Sequence, residues 1–203
     1  MLEVPVTSFD EGLLSLVLRR RLAPVHTALE QASGLPGCIV TTADYIAYLH
    51  MHYDIVATLE EALDAVPDGL AAPMAMPVRR APHLRDDLRR LGARVRRPIA
   101  PMPRLAGAAQ AVGVRYVLEG SALGGQVILA AVQPRLGADI EGATSFFAGF
   151  GRHGMARWRA FTAALDAYGA AHPTAQDAVV EGAALAFGMF LEAARQPALG
   201  APA

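Results

Sequence analysis

Apolar residues along the first third of the chain recur with helical period. Leu18, Leu22, Val25 and Leu29 step by four, three and four, which places them on one stripe. Ser8 to Glu11 has the form of a capping box that would open this helix. Pro24 lies inside it, where a proline bends the helix or frees a carbonyl. Gly34-Leu35-Pro36-Gly37 then reads as a turn. Thr41 or Thr42 caps a second helix that runs to about Ala65, with Tyr45, Leu49, Val56 and Leu63 facing inward. Pro67 to Pro82 reads as a loop, His83 to Leu91 as a short charged helix, and Arg94 to Pro103 as a second loop. A long helix is expected from Arg104 to Val132. Gly113 is its candidate break, and Gln133-Pro134 its stop, since proline cannot continue a helix. From Gly154 to Gly169, Trp158, Phe161, Leu165 and Tyr168 again step by three and four. Thr174 to Asp177 resembles another capping box, ahead of a last helix to about Arg195, and residues 196–203 read as a frayed tail. Alternating β-branched runs bounded by hairpin turns do not occur. The pattern predicts an all-α chain folded as one domain over residues 1–203.

Composition narrows the class. Apolar residues make up 53% of 203 and charged residues 18%, so the chain can bury a core. A net charge of −1 calls for neither nucleic acid nor an anionic membrane. The one cysteine, Cys38, excludes an internal disulfide and a multi-cysteine metal site, and its apolar neighbours suggest a core thiol. The N-terminal residues lack a basic start before an apolar run, and no apolar stretch is long enough to span a bilayer. The expectation is a soluble cytoplasmic protein with no membrane insertion.

The glycines at 120, 124 and 125 then stand out, because each interior glycine costs a helix about 0.5–1 kcal/mol against alanine. Gly120 and Gly124 share a face, four residues apart. A face without side chains suits close helix packing, a bend, or the approach of a large flat body. On the first helix, His26 shares a face with Leu22, Leu29 and Glu30. Such a histidine is either paired with its i+4 glutamate or a metal ligand whose second ring nitrogen is held by that glutamate. His50 and His52 point to different sides and cannot chelate one metal together. His83, His153 and His172 form no metal spacing. No Glu-x-x-His pair of the carboxylate-bridged di-iron type is present.

The stretch Tyr116-Val117-Leu118-Glu119-Gly120-Ser121-Ala122-Leu123-Gly124-Gly125-Gln126 resembles the distal helix of haem oxygenases. Leu22 to Glu30 is similar to that family's proximal helix. Thr42 to Tyr45, and Ser145 to Gly151 followed by Trp158 and Phe161, match in the family's order. The resemblance spans about residues 10 to 195 and is closest to bacterial members. It implies a helical bundle with haem between proximal and distal helices, and His26 as the iron ligand supported by Glu30. It implies Gly120, Ser121, Gly124 and Gly125 as the distal residues that steer bound O2 to a meso carbon. Arg19, Arg159 and Tyr116 would contact the propionates, with Arg115 beside Tyr116, and Arg20 and Arg21 as competitors for the role of Arg19. Phe147, with Phe146 and Phe150, would line the pocket or the core. Ser121 departs from the aspartate that many relatives carry after the first glycine, which puts the proton route in question. The implied activity is cleavage of haem, substrate and cofactor together, to biliverdin, carbon monoxide and ferrous iron. It would use O2 and an external electron donor, a reductase or ferredoxin. A non-catalytic haem carrier or sensor is the alternative, and a cofactor-free bundle whose glycines only pack helices is a second.

Overall fold

Seven α-helices form in a computed structural model that describes residues 12–66 and 79–196. They are α1 (Leu14–Ser33), α2 (Thr42–Asp64), α3 (Ala81–Arg90), α4 (Ala108–Leu136), α5 (Ser145–Ala148), α6 (Gly154–Ala171) and α7 (Gln176–Arg195). Short 3-10 turns, Gly151–His153 and Pro173–Ala175, precede α6 and α7. No strand occurs among the described residues, so the all-α expectation holds. No helix among them is long and apolar enough to cross a membrane. The Ser8–Glu11 capping box and residues 67–78 and 197–203 lie outside the described residues.

Local chemistry sets most helix ends. Thr41 caps α2 with a full capping box: its side chain accepts from Asp44 N, and the Asp44 carboxylate accepts from Thr41 N at 2.8 Å. Gly34 ends α1 in the left-handed conformation, φ 62°, that a glycine adopts without a Cβ penalty. Pro24 sits on the exposed side of α1, which runs through it. Pro82 falls in the first turn of α3, where no amide proton is needed, so that helix starts two residues earlier than expected. The long helix starts at Ala108, later than expected, and Gly113 does not break it. It also passes Pro134, which sits in its last turn. At α7 the Thr174 capping box does not form: a 3-10 turn carries Thr174, and Ala175 holds the cap position without a side-chain bond. Cys38 is exposed, contrary to expectation, and its thiol donates to Ser33 O at 3.2 Å.

Packing centres on α7, which lies against both α4 and α1. Two glycines permit the α4 contact. A Cβ on Gly113 would collide with the Val179 carbonyl, and one on Gly182 would collide with the Gln110 carbonyl. The chain therefore keeps both backbones bare where the helices cross. Leu18 and Leu22 of α1 are buried, whereas Val25 and Leu29 further along the stripe are half-buried. Tyr45 is fully buried and donates from its hydroxyl to Ala143 O at 2.9 Å, tying α2 to the segment before α5. Asp87, fully buried on α3, accepts from Ser145 N, Ser145 Oγ (2.7 Å) and Phe146 N (2.8 Å), and so caps α5 from a neighbouring helix. His52 is buried among Phe146, Phe147 and Phe190, with ring centroids 5.4–5.6 Å away. Its Nδ1 lies 3.0 Å from Tyr48 O. A carbonyl only accepts, so Nδ1 carries a proton. Burial pushes its pKa down to about 4.

Two expectations follow for the protein without ligand. Gly113→Leu should lose about 3 kcal/mol or more of unfolding free energy in urea, because two helix backbones must separate. Gly124→Ala, with nothing within 4 Å of the new Cβ, should be neutral or stabilising by up to about 1 kcal/mol. Equal losses would show that both glycines pack helices. For His52, a folded pKa below the unfolded 6.5 means the neutral ring stabilises the fold above that pH. That contribution, on the order of 3 kcal/mol, should disappear as pH falls from 6.5 to about 4. His52→Gln should remove this slope from the pH–stability curve; a slope unchanged by the substitution would assign it to other groups.

Candidate functional site

Because α1 and α4 both pack on α7 but scarcely on each other, a space remains between them. It is a cavity of about 520 Å³, mostly apolar, in the size range of small-molecule and cofactor sites. His26, Leu29, Glu30 and Ser33 line it from α1. Tyr48, Met51 and His52 line it from α2, and Tyr116 to Ile128 contribute most of the α4 wall. Phe146 and Phe147 of α5, Trp158 of α6, and Phe187 and Phe190 of α7 close it. The half-burial of Leu29 at the end of the α1 stripe has its cause here: the stripe runs out into the cavity.

His26 stands at this cavity with a side chain 56% exposed. Its Nδ1 lies 3.5 Å from the Glu30 carboxylate one helical turn on. The Phe187 ring meets it edge-on at 5.6 Å. With Nδ1 turned to Glu30, Nε2 is the nitrogen left for a ligand.

The three glycines of α4 all line the cavity but do different things. A Cβ on Gly124 would meet nothing within 4 Å, so its missing side chain is open volume. A Cβ on Gly120 would rest at 3.6 Å from the Trp158 ring, an ordinary contact. On Gly125 it would come within 3.1 Å of Phe147 O, so Gly125 is the seat for α5. Gly149 completes that seat: it ends α5 at φ 55°, with its Cβ position 3.0 Å from Ala122 O. Phe147 is fully buried between the cavity and Tyr45, at 5.7 Å between ring centroids, and serves pocket and core together.

Ser121 is bound by a residue whose role the sequence did not reveal. Arg80, just before α3, is 3% exposed and donates from Nη1 to Ser121 Oγ at 2.6 Å. Its Nη2 donates to Phe146 O at 3.0 Å, and its guanidinium lies 4.1 Å over the Phe146 ring. Ser121 Oγ in turn donates to Leu118 O at 2.8 Å. Burial pushes the Arg80 pKa down to about 10, partly offset by Glu119 and Glu60, so the group stays charged at neutral pH. Beside it, Glu119 is buried between two arginines. It receives Arg115 Nη2 at 2.8 Å and Arg157 Nε and Nη2 at 3.0 and 2.9 Å. This pairing fastens α6 to α4 next to Trp158, whose ring lies 5.5 Å from Tyr116.

The cations expected at the cavity sit elsewhere. Arg19 and Arg159 are exposed and do not line it, although Arg19 is close enough to Tyr116 to lower its phenol pKa against the larger effect of burial. Arg115, next to Tyr116, is committed to Glu119. At the other end, Arg135 donates to Pro36 O at 3.3 Å, where Ser33, Leu35 and Pro36 form the rim. Arg80, Arg135 and Glu119 escaped the sequence reading because each acts through a partner 38 or more positions away. Among the described residues no group of three or more His, Cys, Asp and Glu could hold a metal ion, so His26 stands as a lone candidate ligand.

An apolar slot between two helices, a histidine with one nitrogen committed, and a glycine whose Cβ position is empty fit a flat group that brings its own metal. The family model described as heme oxygenase matches residues 13–196. No curated protein and no solved structure matched the chain. The match begins at the residue before α1 and ends at the residue after α7, taking in every helix that lines the cavity, and the chain belongs to the haem oxygenase family.

Proposed function

We propose that this protein is a haem-degrading oxygenase, converting haem to biliverdin, carbon monoxide and ferrous iron with O2 and electrons from an external reductase or ferredoxin. The observation that carries this reading is one cavity lined by both His26 and the open backbone of Gly124. Haem, as substrate, supplies the iron and the oxidisable ring when it is bound.

The chain's own residues supply the setting. His26 Nε2 is the proximal ligand. Glu30, its carboxylate 3.5 Å from Nδ1, holds the ring in that orientation. Gly120 and Gly124 keep the opposing helix free of side chains, so O2 has room, and the backbone directs it to one edge of the ring. Gly125 acts indirectly, through the position of Phe147. Ser121 has its proton committed to Leu118 O and accepts from Arg80, so its hydroxyl positions water rather than delivering its own proton. The fixed positive charge of Arg80 favours electron-rich oxygen species at that wall. Tyr116, which lines the cavity and has Arg19 beside it, holds one propionate.

Adding haem should give the absorption band of a histidine-ligated complex, and reductant in air should convert it to the biliverdin spectrum. A stable band would mark a carrier or sensor instead. His26→Ala should lose the ligated band and turnover while keeping its far-UV circular dichroism; a wild-type band would place the ligand elsewhere. Gly124→Leu should still bind haem through His26 but lose about a hundredfold or more in biliverdin formation, because a side chain then fills the space O2 needs. Wild-type turnover in that variant would remove the glycines from the reaction.

A further inference from the structure

All 18 cationic side chains of this protein are arginine, and nine of them fall in residues 79–104. That stretch carries only Asp86 and Asp87 against them, a net of +7, while the rest of the chain carries −8. The near-zero total therefore hides a strongly polarised molecule. Arg80 is buried in the site already described, and Asp87 is buried under α5. The other eight arginines are exposed.

Four of these lean on carboxylates: Arg79 on Asp64, Arg85 and Arg89 on Asp86, and Arg96 on Asp54. Arg90, Arg94, Arg97 and Arg104 form no ion pair among the described residues. Three of the four lie in the irregular segment 93–106, which also exposes Ile99 (62%) and Met102 (54%). This segment is pinned in place. Asp54 of α2 takes Arg96 Nη2 at 2.9 Å. Unpaired arginines around exposed aliphatic side chains on a fixed segment have the make-up of a protein interface.

We propose that α3 and the segment 93–106 form the docking surface for an acidic one-electron carrier protein, the donor that the activity proposed above requires. The inference rests on that reading for the identity of the cargo. The position suits it. Arg80, one residue before α3, touches Ser121 in the cavity wall, and Asp87 of α3 holds Phe146, whose ring lines the cavity. A carrier seated there is separated from the cavity by α3 and α5. In each encounter the reduced carrier gives up one electron to the bound substrate and leaves oxidised. An acidic protein fits better than nucleic acid, because the segment 93–106 exposes Ile99 and Met102 beside its arginines and carries no aromatic ring on which bases could stack. The charge asymmetry would also steer a negative partner to this face.

The test uses haem-loaded protein, a plant-type [2Fe–2S] ferredoxin with its NADPH-dependent reductase as the carrier, and ascorbate as a small reductant that needs no docking. The variant is Arg94→Glu/Arg97→Glu/Arg104→Glu. It should raise KM for ferredoxin by about tenfold or more while leaving the ascorbate-driven rate unchanged. Raising salt from about 20 mM to about 500 mM should slow the wild type with ferredoxin far more than the variant. Equal KM values, or equal salt dependence, would overturn the proposal. If ascorbate fails to convert haem in the wild type, the oxygenase reading fails. The surface is then judged by calorimetric titration of haem-free protein with ferredoxin. Binding that the triple variant loses supports it, and no binding by the wild type overturns it. Arginine-dependent retention on single-stranded DNA or phosphatidylserine vesicles, without an effect on ferredoxin, would assign the face to those partners and overturn it as well.

Discussion

The crossing of α4 and α7 is the contact on which the site depends. Gly113 and Gly182 leave each backbone bare where it meets the other's carbonyl, so the two helices approach closer than any side chain would permit. With α7 also packed on α1, it acts as a common wall. The two helices it supports are held at a fixed separation without touching each other extensively. That separation is the cavity. Small residues at a crossing normally only strengthen packing. Here they also set how wide the neighbouring gap is.

The same residue type is then put to opposite use further along α4. Gly125 and Gly149 bring α5 close to α4, which carries Phe146 and Phe147 to the cavity's edge. Gly124, one residue away, faces open volume. A hundred degrees of rotation per residue is enough to separate a glycine that packs from one that leaves room. The helix tolerates the entropic cost of this glycine run because buried side chains on its other faces, such as Val112 and Leu118, hold it in the core.

The buried charges beside the glycine wall are paired. Arg80 is satisfied by Ser121 and two carbonyls, Glu119 by two arginines, and Asp87 by three donors at α5. A buried charge left without such partners would cost several kcal/mol. These bonds join α3, α4, α5 and α6, the elements around the glycine wall, so the charge network and the cavity geometry are one construction. The arginine-rich surface outside α3 is attached to the same network through Arg80 and Asp87, which gives that surface a direct mechanical relation to the site.

Much of this was legible in the sequence. Helical period, a threonine cap at Thr41 or Thr42 and the absence of strand patterns fix the helices, since they depend on neighbours three or four residues apart. The His26–Glu30 pair and the glycine run were visible for the same reason. Motif resemblance supplied the family, which the match over residues 13–196 bears out. Other outcomes needed the third dimension. Thr174 did not cap α7, because a 3-10 turn competed for that position. Cys38 was carried to the surface despite apolar neighbours. Which of three adjacent glycines faces space and which faces Phe147 depends on where α5 lies. Arg80 reaches Ser121 across 41 positions, and Glu119 reaches Arg157 across 38. No local period encodes such pairings: they exist only once packing has brought distant segments to within a hydrogen bond.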